Sequence, residues 1–471
     1  MLGVQLTELL DGMPAGVEEA LDLVAGFDDA LTHGFARLGE ERGTALAALA
    51  GSVAATPLGE RVREASGKVA AGSVSDEHLA ALAGARTALF GAVHDALLAR
   101  FDTALGRARA PWEEPPEAAA PAAENLLGGC RSWLLELAVT GWRGVDHDLV
   151  SAADQTVEAL LAEPGLRRLA VLLDGLAAEL RASSPVATME RLPVRRWADL
   201  WSRALLLARP GGLSGAVPSA ETVSGRLLVL GADVHEHGTA VQVQVHGVLE
   251  PAGGEPPRLV RTAVTSAKVD TIVGPALWRL LGGHPVLLTA LAERRALDVT
   301  DLPLLGGGDL VWHDDRARAG EPADPFTTAR LLLGGALAPA VPPLERHPVR
   351  IAEPVLVEGY TATAGDDGAT VTFDLGGGTL AVDVDRLPAC GPLTPELVAA
   401  SSACLGLVRW DGGRWTLQPL AVQATVKRKT VAAHTGDWAL GPTDPKVVKA
   451  EAKAGDAVAV LRERAGRLLR R

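Results

Sequence analysis

Few side chains in this 471-residue sequence have both the type and the spacing that chemistry requires. His235, Glu236 and His237 stand together, with His246 a short way on. Two imidazoles in an HxH pattern share one face of a strand, and a third from a paired strand would complete a three-histidine zinc set. Gly238 marks the same residues as a turn, however, and polar turn residues need no ligand, so a turn is the expectation. The run Trp312, His313, Asp314, Asp315 follows Gly306, Gly307 and Gly308 and offers an imidazole base beside a carboxylate. Neighbours on an extended chain point to opposite faces, which predicts a strand ending in an acidic turn rather than a working dyad. No GxSxG elbow, P-loop or HExxH helix occurs, and Cys130, Cys390 and Cys404 are too few and scattered for a disulfide framework or a cysteine zinc site. No catalytic residue, metal ligand or cofactor is assigned.

Within TVTFDLGGGTLAVDVD (370–385), the segment DLGGGT resembles the second phosphate-binding motif of actin-like ATPases such as the seventy-kilodalton heat-shock chaperones. That resemblance implies a glycine turn whose backbone approaches nucleotide phosphates. The flanking TVTFDL and TLAVDVD read as paired strands, and they predict a β-hairpin whose turn uses Gly376, Gly377 and Gly378 for their tolerance of positive φ.

The clearest signal is electrostatic. Residues 421–471 hold eleven Lys or Arg against five Asp or Glu, a balance of +6; with the whole chain at −13, the first 420 residues carry −19. Five of the seven lysines lie in that tail. Asp444 is placed to cap a helix and Pro445 suits its first position. From there Val447, Ala450, Ala454, Ala457, Val458, Leu461, Ala465 and Leu468 form an apolar stripe. Lys446, Lys449, Lys453, Arg464, Arg467 and Arg471 fall along one flank of it. Such a stripe either docks on the protein's own body, with the cations facing water or the acidic bulk, or binds a partner whose groove is acidic. Nucleic acid and anionic membranes fit less well, because a body at −19 repels them and the stripe has no Trp, Phe or Tyr. Lys427, Arg428 and Lys429, in QATVKRKTV, extend the basic character; read as one strand, Lys427 and Lys429 share a face and Arg428 takes the other.

The elements that carry these residues fall into two halves. Residues 1–110 and 125–208 repeat apolar positions every three or four residues and predict helices, joined by a Pro-rich linker or loop over 111–124. Trp197 and Trp201, four apart, are expected on a buried face. A Gly/Pro linker over 209–219 leads to a β-rich region over 220–440, and the basic helix follows over 441–471. Short helices are expected near 273–281, 285–294 and 395–404. The predicted fold class is α+β: an all-α N-terminal half, then a mostly antiparallel β-rich half with a terminal amphipathic helix. The longest uncharged apolar run, 331–344, is too short and too broken by Gly and Pro to span a membrane, and the N-terminus lacks a basic leader, so a cytoplasmic protein is expected. The function expected is that of a non-enzymatic adaptor or accessory subunit of a larger assembly. The alternatives are an enzyme whose site, metal-dependent or not, lies at the α/β junction and uses His313, Asp314 or the His235 and His237 pair, and a weak nucleic-acid binder.

Overall fold

A computed structural model describes residues 3–113, 124–209, 220–365, 370–454, 458–460 and 463. The fold is α+β, helical in its N-terminal half and built on sheets in its C-terminal half. The linkers expected over 111–124 and 209–219 lie largely outside the described residues.

The helices of the first half are α1 (Gly3–Leu10), α2 (Val17–His33), α3 (Glu40–Ser52), α4 (Gly59–Ala70), α5 (Asp76–Leu105), α6 (Glu124–Thr140), α7 (His147–Ser151), α8 (Asp154–Ala162), α9 (Arg167–Ala182) and α10 (Val194–Leu207). Ser75 starts α5 as its sequence predicts, its Oγ accepting from His78 N at 3.2 Å while Asp76 and Glu77 sit in the first turn. Helices α2 to α10 bury one continuous apolar core, so segments on both sides of residues 111–124 pack together. Two four-helix cycles share this core: α2, α3, α4 and α5 contact in sequence and close on α2, and α6, α8, α9 and α10 do the same. Both α2 and α6 have 17 residues and end at a glycine of positive φ, Gly34 or Gly141, followed by a 3-10 turn with a buried aromatic residue, Phe35 or Trp142. A Cβ on Gly34 would lie 2.6 Å from the Val139 carbonyl oxygen, so these glycines let the two chain reversals cross backbone to backbone.

The second half holds two sheets. The first joins β1 (Ala220–Glu236), β2 (Ala240–Pro251), β3 (Arg258–Ala267), β4 (Arg295–Leu305) and β5 (Ala317–Pro322) in the antiparallel order β3-β2-β1-β4-β5, with α11 (Ala276–Leu280) and α12 (Pro285–Glu293) on its outer face. After the short helix α13 (Pro325–Thr328) comes the second sheet, from β6 (Ala352–Glu358), β7 (Thr361–Ala364), β8 (Val371–Asp374), β9 (Thr379–Val382), β10 (Ser401–Asp411), β11 (Arg414–Val426) and β12 (Lys429–His434). Its order is β6-β10-β11-β9-β8-β7, with β12 beside β11 and only β9 and β11 parallel. Helix α14 (Pro395–Ala399) stops short of the expected Cys404, because residues from Ser401 onward pair with β11 and are buried on both faces of the sheet from Ala403 to Trp410. Helix α15 (Pro445–Ala454) follows the sheets.

The two sheets meet face to face across Leu230, Val248, Leu356, Leu405 and Ala421. A bulge at Leu230 shifts the β1 register, so that Leu227 and Val229 before it and Ala232 after it all face the outer core, while Leu230 itself turns to the other sheet. The second half of α5 packs with the second sheet, through Val93, Leu97, Leu98, Phe101 and Leu105.

Candidate interaction surface

The terminal helix forms as its sequence predicts. Asp444 Oδ1 accepts from the amides of Lys446 (2.7 Å) and Val447 (3.4 Å), and Pro445 opens the first turn. Val447 and Val458 reach the core of the first sheet, and Glu451 Oε1 stands 3.3 Å from Arg279 Nη2. Ala450, expected on the apolar stripe, is exposed, so the contact with the body is narrower than the stripe. Lys446, Lys449 and Lys453 project into solvent and make no ion pair with the described residues. Arg464, Arg467 and Arg471 lie outside the described residues, as do Ala457, Leu461, Ala465 and Leu468.

The second basic cluster does not lie on one strand. β11 ends at Val426 and β12 begins at Lys429, paired with it, which leaves Lys427 (φ 50°) and Arg428 (φ 67°) as a two-residue hairpin turn. The sequence lacks the Asn or Gly that announces such a turn, so alternation misassigned it. The side chains of residues 425–431 are exposed.

Several of the chemical candidates make structural bonds within the fold. His235 closes β1 with its Nε2 2.8 Å from Asp233 Oδ2, and His237 sits exposed in the turn. The β1/β2 register sets His246 opposite Gly231 and His235 opposite Gln242, which separates the two imidazoles by four strand positions, about 13 Å. Among the described residues no group of three His, Cys, Asp or Glu side chains is arranged to hold a metal ion. His246 is buried instead, and burial, reinforced by the Arg261 charge, lowers its pKa to about 4.

Asp314 works as a helix cap. Its carboxylate accepts from Val286 N (3.1 Å) and Leu287 N (3.4 Å) at the start of α12 and from Trp312 Nε1 (3.2 Å), while His313 is exposed. The expected strand at Trp312 is absent; a 3-10 turn (Asp314–Arg316) takes its place. DLGGGT forms the β8/β9 hairpin, with Leu375 N bonded to the Gly378 carbonyl at 2.9 Å and Gly376 N to Asp374 Oδ1 at 2.9 Å. Gly376 has φ 81°, and a Cβ on Gly377 would lie 2.8 Å from Thr7 Cγ2. Two of the turn amides are therefore used within the hairpin, and its glycines admit α1 at close range.

Trp197 and Trp201 are fully buried: Trp197 meets Trp142 edge-on at 5.8 Å and Trp201 packs beside Phe27 at 6.3 Å. The cysteines are buried and free, and burial pushes the thiols of Cys130 and Cys390 up to about 12, which leaves them unreactive.

Two features escaped sequence reasoning. Between the sheets, Asp233 accepts from Arg409 Nη2 (2.7 Å) and Gln418 Nε2 (2.7 Å) as well as from His235. Burial raises the carboxyl pKa, but the His235 hydrogen bond and the Arg409 charge outweigh it and hold the group below the usual carboxylate range. The second feature is a cleft of about 680 Å³ where the loop between α1 and α2 meets the second sheet. Met13, Glu18, Thr372, Thr379, Arg414 and the edge-to-face pair Trp410 and Trp415 (5.1 Å) contribute to its walls. His235, His237, His313 and Asp314 do not line it. No protein-family model, curated protein or solved structure matches the chain.

Proposed function

We propose that this chain is a non-enzymatic adaptor or accessory subunit that docks an acidic protein surface through the cationic edge of its terminal helix. The observation that carries this reading is the orientation of α15: Val447 and Glu451 hold it to the body, while Lys446, Lys449 and Lys453 face outward and make no ion pair with the described residues. Cations that stabilise a fold are usually paired inside it, as the buried arginines here are; unpaired lysines beside a body of opposite sign steer encounter with an acidic partner. Asp314, His235 and the DLGGGT turn each make bonds within the fold, which favours this reading over the enzyme alternative, whereas His237 and His313 are exposed.

The test is affinity capture from the native cell with full-length protein and with Lys446→Glu, Lys449→Glu, Lys453→Glu combined. Loss of a specific partner from a folded triple variant supports the reading, and identical partner sets defeat it. A second reading, a small-molecule site, draws on the cleft, since ligand sites favour concave junctions of this size. It predicts that a ligand screen read by thermal shift finds a compound whose effect disappears in Thr379→Trp.

A further inference from the structure

Four non-glycine residues among those described have positive φ, and they divide into two kinds. Arg294 (φ 53°) closes α12, and its guanidinium bonds both Asp437 oxygens at 3.0 Å. Asp301 (φ 53°) exchanges bonds with Ser224 Oγ at 2.9 and 3.2 Å. In each case a side-chain bond inside the fold holds the residue where its backbone is unfavourable. Lys427 and Arg428 have no such support: their side chains make no hydrogen bond or ion pair with the described residues, although both occupy left-handed turn positions that Asn-Gly fills with less strain. Backbone strain that no hydrogen bond or ion pair among the described residues offsets is the observation that motivates a role outside the fold.

The surroundings say what that is. The hairpin β11/β12 carries Lys427, Arg428 and Lys429 at its tip, with no acidic residue between Ala421 and His434. Behind the tip, Val426 and Val431 are 39% and 40% exposed, an apolar fringe suited to a protein rather than a solvated phosphate chain. No Trp, Phe or Tyr lies between Ala421 and His434 to stack on bases or enter a bilayer. An extended polyanion on the tip would also run its remaining charge along a body at −19, whereas a local acidic segment would not.

We infer that the β11/β12 hairpin is a docking finger for an acidic segment of a partner protein, with Lys427 and Arg428 as its contact residues. This surface is separate from the α15 edge and stands or falls independently of it.

The experiment measures fluorescence anisotropy of a labelled deca-glutamate peptide titrated with full-length protein, for the parent, for Lys427→Asn with Arg428→Gly, and for the triple glutamate variant of α15. The first variant supplies the residues the turn favours, so its Tm is expected to rise slightly while peptide affinity falls about tenfold, the loss of two exposed charge pairs. Parent binding is expected to weaken with added salt. Peptide affinity unchanged in the Asn-Gly variant overturns the proposal, as does tighter parent binding to a thymidine decanucleotide or to phosphatidylserine vesicles. If the α15 variant alone loses the peptide, the finger is refuted while the reading of the terminal helix stands.

Discussion

The helical core and the seam between the two sheets are both buried, yet they are assembled on different terms. The helical core is a continuous mass of Leu, Val, Ala and Trp into which a buried ion pair, Asp28 with Arg86 at 2.6 Å, is set. The seam is thin in apolar contacts and holds Asp233, Arg409 and Gln418, with His246 also buried on β2. Apolar packing accepts many arrangements of similar volume, whereas a carboxylate with three fixed donors accepts one. The helical half is thus held by quantity of burial, and the sheets are held in one alignment by geometry.

The sharpest way to break that contrast is Asp233→Ala, which strands the buried Arg409 guanidinium; a loss of about 3–5 kcal/mol is expected in urea unfolding. Joint replacement Asp233→Leu with Arg409→Met should recover most of it, and a double variant no better than the single one would show that hydrogen bonding, not removal of an orphaned charge, sets the cost. Acid should act next most strongly. Burial holds His246 and His347 at about 4, below the ordinary 6.5 of an unfolded imidazole. Between those values the unfolded chain binds more protons than the folded one, so stability is full above about 6.5 and drains as the pH falls toward 4, by up to about 1.4 kcal/mol per pH unit for each histidine. Tm measured against pH for the parent and for His246→Leu should show a shallower acid slope in the variant. Smaller again is Asp314→Ala, which uncaps α12 and should cost about 1 kcal/mol with no change in the helical half by hydrogen exchange. The triple glutamate variant of α15 should move stability by less than about 0.5 kcal/mol, since its lysines are exposed and make no ion pair with the described residues.

Local signals were legible from the sequence wherever their cause was local. Ser75 capped its helix, Asp444 and Pro445 opened theirs, and the hydrophobic spacing of Trp197 and Trp201 put both indoles inside. The hairpin at Gly376–Gly378 followed from strand alternation around a glycine run. What was hidden depended on distance along the chain. Arg409 and Gln418 reach Asp233 across 176 and 185 residues, and no pattern near any of them announces the meeting. The close seating of Thr7 over Gly377 is of the same kind. The turn at Lys427 was missed for the opposite reason, because its local sequence contradicts its conformation.

Helix α5 runs for 30 residues, about 45 Å, with its first turns in the helical core and its last in the core of the second sheet. Neither half can melt without baring apolar surface that the same rod buries on the other side. Calorimetry of the intact chain should therefore record one cooperative transition, and a protease cut between Phe90 and Leu97 should release no stable fragment. The two halves differ in architecture, but this one rod contributes side chains to the cores of both, and a shared fate on heating is the expected consequence.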